Sequence, residues 1–223
     1  MGQENKNFKE QFYLILTGIF IASLVASNLI FQKFFTWNFL GIDFELSVGI
    51  IAYPVTFLVT DLISELYGQK RANQVVVSGF FASVFTTLLV LISANANAVQ
   101  WSPIDNITFT KVFGLTGPAF FASMVAYLTA QLIDVRIFHF WKRLTKGKHL
   151  WLRNNASTMF SQLVDTSVIL IILCTAGVIE WERFFGLWIM GWLFKVFVAL
   201  IDTPIIYGII HLLKGKIDIA AVD

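Results

Sequence analysis

The chain has 223 residues, 57% of them hydrophobic and 13% charged, with a formal net charge of +2 and a mean hydropathy of +0.74. Soluble domains carry roughly 25% charged residues, so this composition excludes a water-soluble globule and reads as an integral membrane protein. The small net charge offers nothing to a nucleic-acid partner, and a single cysteine, Cys174, excludes an intrachain disulfide.

A membrane-crossing helix needs about 20 mostly apolar residues, and by that measure about six are predicted. They lie at Phe12–Phe31, Ser47–Tyr67, Gln74–Ala94, Leu115–Phe140, Asn155–Ile179 and Phe184–Leu213. The expected fold class is all-α: a polytopic membrane helix bundle in one domain over residues 1–223. The first run is too long for a signal-peptide core and no small-residue cleavage site follows it, so it reads as a retained span. The runs lack the short alternation of an outer-membrane barrel, so strands are not expected.

Basic residues concentrate in alternate connections. Lys6 and Lys9 precede the first span, and Lys70 and Arg71 follow the second. Lys142, Arg143, Lys146 and Lys148 follow the fourth, flanked by Arg136 and Arg153, and Lys214 and Lys216 follow the sixth. The remaining connections hold Lys33, Lys111 and Arg183. By the positive-inside rule both termini face the cytoplasm. Asn106-Ile107-Thr108 matches a glycosylation acceptor, a motif too common by chance to carry weight.

Polar groups inside the spans carry the functional signal, because a carboxyl at bilayer depth costs about 2.5 kcal/mol or more to insert and faces a bundle interior or polar cavity. In the first span Asn28 is a minor candidate. In the second, Thr56, Thr60 and Ser64 recur every four residues beside Asp61 and Glu65, one polar stripe on an apolar helix. Pro54 is expected to kink that helix. Glu65 reads equally as a functional group or as an interfacial partner of Lys70 and Arg71; Asp61 lies deeper and reads as functional. The fourth span places Tyr127, Gln131 and Asp134 on one side, with Asp134 near the cytoplasmic boundary beside Arg136. Ser123, Ala126 and Ala130 on it are small enough for close helix packing.

The fifth span carries Thr158, Ser161, Gln162 and Asp165 near one face, and Asp165 falls near mid-membrane. The sixth repeats Trp188, Trp192, Lys195, Ala199 and Asp202 at helical spacing, so ring, ammonium and carboxylate share a stripe. A lysine at that depth needs a carboxylate, and Asp165 and Asp202 are both in reach. Gln-x-x-Asp occurs twice, at Gln131–Asp134 and Gln162–Asp165. Each copy aims an amide and a carboxyl one way, and two facing copies suit a small solute rich in hydrogen-bond donors. Lipid or core packing is the ordinary role for any one tryptophan, and a fixed bundle register is the ordinary role for a buried ion pair.

His139, His149 and His211 have no His or Cys partner at metal-ligand spacing. No nucleophile elbow, Gly-rich phosphate loop or zinc-protease motif appears. Neither cofactor nor metal is expected, nor an enzyme, and the chain carries no ATP motor of its own.

Several strings are long enough to compare. Tyr53-Pro54 with Thr60-Asp61-Leu62-Ile63-Ser64-Glu65-Leu66-Tyr67-Gly68-Gln69-Lys70-Arg71-Ala72, Gln131 with Asp134-Val135, and Arg153-Asn154-Asn155 with Ser157-Thr158, Ser161-Gln162 and Asp165-Thr166 resemble the bacterial queuosine-precursor transporter family, within the vitamin-uptake transporters. The likeness covers nearly the whole chain. It implies a multi-pass protein of the cytoplasmic membrane that imports 7-cyano-7-deazaguanine or its 7-aminomethyl form. A deazaguanine presents an N–H and an amine side by side, which suit a carboxylate, and a carbonyl, which suits an amide donor. Its flat ring suits an aromatic face. The residues expected at the solute are Gln131, Gln162, Asp165, Asp61, Lys195, Trp192, Tyr127 and Asp202, with Glu65 and Asp134 in gating or coupling. The expected partners are the deazaguanine and the lipid bilayer; the oligomeric state stays open, a homo-oligomer included. Two energy sources remain: a secondary transporter coupled to protons through Asp165 or Asp61, or a membrane subunit that binds substrate for a separate ATP-driven system.

Overall fold

The computed structural model describes residues 3–39, 41–113 and 117–213. Its elements run α1 (Gln3–Ile30), β1 (Phe34–Phe39), β2 (Ile42–Ser47), a 3-10 turn (Val48–Ile51), α2 (Tyr53–Tyr67), α3 (Gln69–Ala94), α4 (Asn106–Phe113), α5 (Gly117–Leu144), α6 (Leu150–Thr175) and α7 (Phe184–Leu213). Among the described residues α1, α3, α5, α6 and α7, together with the stretch Val48–Tyr67 in which the 3-10 turn leads into α2, are long and apolar enough to cross a membrane, which makes six spans. The fold is a polytopic helical bundle. Several helices outrun the predicted spans, α1 beginning at Gln3 and α6 at Leu150. An apolar run marks only the part that lies in hydrocarbon, whereas the helix continues while its backbone bonds are satisfied. The predicted start at Leu115 and the tail lysines Lys214 and Lys216 lie outside the described residues.

Two expectations are corrected. Pro54 does not kink α2; it stands in the first turn, where its missing N–H is not needed. Strands do occur: β1 and β2 form an antiparallel hairpin with Phe34 opposite Ser47 and Phe39 opposite Ile42. The hairpin occupies the first connection, outside the spans. Its second strand alternates Ile42-Asp43-Phe44-Glu45-Leu46-Ser47, the period-two pattern of a half-buried strand. Leu46 is buried, and Trp37 rests on α7, 5.5 Å from the Phe194 ring and 6.3 Å from Phe197.

The helices α5 and α6 pack along their lengths, with α7 against α6 and α1 against both α2 and α3. Between α2 and α3 there is no loop. Gly68 at φ +84° makes the reversal alone, a conformation that a side chain would strain. At Gly79 the constraint is space: a Cβ there would meet Phe20 Cε1 at 2.6 Å and the Tyr127 hydroxyl at 2.8 Å. Here α1, α3 and α5 meet, with Ala126 and Ala130 buried on the α5 side. Gly79→Ala is expected to cost about 1–3 kcal/mol by overpacking. A thermal melt of the purified protein in detergent checks it.

In the third connection Asp105 caps α4, its carboxylate accepting the Thr108 backbone N–H at 2.7 Å. The Thr108 hydroxyl and N–H hold Asp105 below the ordinary carboxylate range. Asn106 of the glycosylation-like motif is turned into this loop, where its Oδ1 accepts the Ala98 N–H at 2.8 Å.

The basic connections gather at one end of the bundle. There the Tyr67 hydroxyl donates to the Lys9 carbonyl at 2.8 Å, Arg71 pairs with Glu10 at 3.2 Å, and Leu66 packs with Leu213. The start of α1, the α2–α3 reversal, and the end of α7 therefore share a face. The hairpin and the α6–α7 turn meet at the opposite end, where they enclose a space of about 660 Å³.

Candidate functional site

A cavity of about 250 Å³ opens between α1, α2, α6 and α7 at the hairpin end. Phe31, Ile50, Ile169 and Leu173 give it apolar walls; Asn28, Glu45, Tyr53, Asp165 and Lys195 are its main polar groups. Small-molecule pockets run from roughly 300 Å³ upward for drug-sized ligands, so this one suits a smaller solute. Phe34, Glu45, Ile179 and Leu187 line both this cavity and the hairpin-end space, so the two abut.

Lys195 on α7 donates to Asp165 Oδ2 at 2.5 Å and to Thr166 Oγ1 at 3.2 Å. The Tyr53 hydroxyl, from the start of α2, donates to Asp165 Oδ1 at 2.9 Å. The Lys195 ammonium also sits 5.4 Å from the centre of the Tyr53 ring. Three helices thus converge on one carboxylate. Each of its oxygens has one donor and keeps a second lone pair. Asn28 faces the same cavity from α1. Ser123 donates to its Oδ1 at 2.9 Å, and its Nδ2 is shielded from water with no hydrogen-bond partner.

A second polar layer lies further along α2. Gln131 donates through Nε2 to Thr56 at 3.0 Å and accepts from Thr60 at 3.2 Å. Thr158 donates to Asp61 Oδ2 at 3.2 Å and Ser161 to Asp134 Oδ1 at 2.8 Å, both from α6. Thr158 and Ser161, about one turn apart on α6, thus hold the carboxyls of Asp61 and Asp134 side by side, and the two interact electrostatically. Both are buried, and no donor reaches Asp134 Oδ2. The Oε1 of Gln162, equally buried, is also unpaired.

The third layer closes the basic end. Glu65 takes Arg153 Nη2 at 2.6 Å and Lys142 Nζ at 3.4 Å, all three with side chains at most 5% exposed. Arg153 also donates to the carbonyls of Gly147 and Lys148 at 3.0 Å each, and lies 5.6 Å from the Phe138 ring centre. One guanidinium therefore ties the α5–α6 turn to α2.

A family model described as "Putative vitamin uptake transporter" matches residues 47–209, which hold every charged group of the three layers. The chain belongs to this vitamin uptake transporter family. Curated relatives carry a more specific name. The "Queuosine precursor transporter" of Escherichia coli (strain K12) is 25% identical over 211 residues, 93% of this chain and 89% of its own length. The "Probable queuosine precursor transporter" of Bacillus subtilis (strain 168) is 28% identical over 167 residues, 73% of this chain and 70% of its own. That of Haemophilus influenzae (strain ATCC 51907 / DSM 11121 / KW20 / Rd) is 28% identical over 172 residues, 75% and 69% respectively. No solved structure matches. Family and spans together make this a multi-pass transporter of the bacterial cytoplasmic membrane, not an enzyme.

In this vitamin uptake transporter the residues predicted from sequence fall in several places. Asp165 and Lys195 line the cavity, and of the two carboxylates in reach Lys195 has taken Asp165. Gln131, Asp61 and Asp134 form the second layer. Tyr127 is a strut: its hydroxyl donates to the Val76 carbonyl at 2.6 Å and its ring packs on Phe20. Trp192 stacks on Trp188 and donates to the Met159 carbonyl at 3.0 Å, joining α7 to α6. Asp202 is partly buried beside Thr203, which receives Asn154 and Asn155.

The two Gln-x-x-Asp copies hold different protein partners. Gln131 is satisfied by α2 hydroxyls, and Asp165 is drawn to α7 by the stronger pull of an ammonium. Glu65 pairs with Lys142 and Arg153, not with Lys70 and Arg71, because α5 and α6 bring their cations inside while Arg71 turns out to Glu10. Asp134 is fully buried against α6, while Arg136, close to it in sequence, is exposed. Tyr53 and the buried role of Lys142 went unnoticed in the sequence. Tyr53 had a signal, as it extends the α2 stripe of Thr56 and Thr60 by one turn.

Proposed function

We propose that this chain, as one transport domain, imports a queuosine precursor, 7-cyano-7-deazaguanine or its 7-aminomethyl form, by alternating access driven by the proton gradient. Both termini face the cytoplasm by the positive-inside rule, so the cavity faces outward and the Glu65–Arg153–Lys142 layer shuts the inner side. The observation that carries the reading is Asp165: a carboxylate at the wall of a small apolar cavity, held by Lys195 and Tyr53 with a lone pair left on each oxygen. The paired N–H and amine of a deazaguanine are the donors such a carboxylate accepts. The unpaired Asn28 Nδ2 offers the complement to the ring carbonyl, and Phe31 and Tyr53 offer faces for the ring. The names of the curated relatives support the same substrate.

Cells unable to make the precursor and lacking their own importer are the test. Expression of this chain is expected to restore queuosine in tRNA when either precursor is supplied outside, and Tyr53→Phe to lower the restored rate by roughly tenfold, the worth of one hydrogen bond to a charged group. No restoration at normal membrane levels of the native protein overturns the reading.

A further inference from the structure

We propose that Asp61 and Asp134 are the proton-coupling site, a carboxyl pair that holds one proton between its facing oxygens and exchanges it during the transport cycle. This rests on the import reading above and adds where the driving ion sits. Hydroxyls from one stretch of α6 hold both carboxyls, and because ionised carboxylates only accept hydrogen bonds, two of them side by side are joined by a proton shared between them. The surroundings leave room for that hydrogen. Thr158 occupies Asp61 Oδ2 and Ser161 occupies Asp134 Oδ1, while Asp134 Oδ2 has no donor.

Charge separates this layer from the other two. Asp165 has Lys195, and Glu65 has Arg153 and Lys142. The charged and titratable groups on the elements around the pair are Glu65 on α2, the exposed Arg136, the buried His139 and Lys142 on α5, Arg153 and Asp165 on α6, and Lys195 and Asp202 on α7. Lys142, Arg153 and Lys195 are each paired with a carboxylate of another layer, and among the described ion pairs none reaches Asp61 or Asp134. Like charges side by side at low dielectric cannot both stay ionised.

Position fits coupling. Asp61 lies eight residues beyond Tyr53, about 12 Å along α2, and four residues, about 6 Å, before Glu65. The pair stands between the outward cavity and the closed inner layer. A proton entering from outside reaches it past the cavity and leaves inward once Glu65 parts from Arg153 and Lys142. Intramembrane carboxyls are the usual stations of such relays.

The test uses full-length protein in liposomes with 7-cyano-7-deazaguanine as the probe and two assays. One is accumulation driven by an acidic exterior; the other is exchange of external label against internal unlabelled solute with no gradient. Asp134→Asn is expected to lose pH-driven accumulation at least tenfold while exchange stays within a few fold of native, and Asp134→Glu to restore part of the accumulation. Native protein is also expected to acidify the lumen as solute enters, a reading that needs no variant. Undiminished pH-driven accumulation by Asp134→Asn overturns the proposal, as does native accumulation that follows a sodium gradient and ignores pH. So does loss of exchange and accumulation together in folded Asp134→Asn. Native exchange without pH coupling leaves the import reading standing and removes only the coupling site; no native exchange removes the import reading itself.

Discussion

Asp165→Asn is expected to abolish useful transport, lowering affinity for the deazaguanine by roughly a hundredfold or more. Two effects act together. If Asp165 takes the donor edge of the solute as proposed, the amide loses the charge that holds it, and Lys195 is left a cation at the cavity wall without its carboxylate. Removing one member of a desolvated, hydrogen-bonded charge pair costs about 2–5 kcal/mol, and about 1.4 kcal/mol is tenfold in affinity. The side chains of Asp165 and Lys195 are 6% and 12% exposed, so water screens the loss only slightly. Lys195→Met is expected to be as harmful by the opposite route, stranding the carboxylate. The double variant is expected to fold better than either single one, because no buried charge is then left over. Equilibrium binding and thermal melts of the three proteins check this; a double variant less stable than both singles contradicts it.

Glu65→Gln is expected to have the largest effect on stability. It removes the one carboxylate that Arg153 and Lys142 share, at 2.6 and 3.4 Å, and leaves two cations in a layer almost closed to water. Breaking a buried pair from one side costs about 3–5 kcal/mol. The damage is expected to spread to the α5–α6 turn, since the guanidinium that bonds the Gly147 and Lys148 carbonyls is anchored by Glu65. Replacing Glu65, Arg153 and Lys142 together by apolar residues is expected to recover much of the stability. Because that variant lacks a charged inner seal, it is also expected to lose gradient-driven accumulation. Melting temperature and accumulation, read on the same samples, separate the two consequences.

The bundle was legible because its signals are one-dimensional. Runs of apolar residues mark spans, and alternate basic connections require an even number of them, as the shared face of α1's start and α7's end bears out. The Lys195 partner was half legible: depth demanded a carboxylate, but Asp165 and Asp202 stood at equal claim until packing of α6 on α7 decided. Glu65 was misread because the nearest cations in sequence, Lys70 and Arg71, are not the nearest in space. Lys142 and Arg153 come from α5 and α6, and no periodicity within α2 reports a neighbour on another helix. The same reason hid the contact of Asp61 with Asp134, which are far apart in the chain and brought together by α6. The hairpin was passed over for another reason. Six-residue strands leave too short an alternation to stand out beside apolar runs four times as long.

The most direct measurement is uptake of labelled 7-cyano-7-deazaguanine into liposomes that hold this chain and no other protein. Saturable uptake that rises when the exterior is acidified, and that Asp165→Asn eliminates, is the predicted result. Uptake that appears only after ATPase subunits are added, or that Asp165→Asn leaves unchanged, contradicts it.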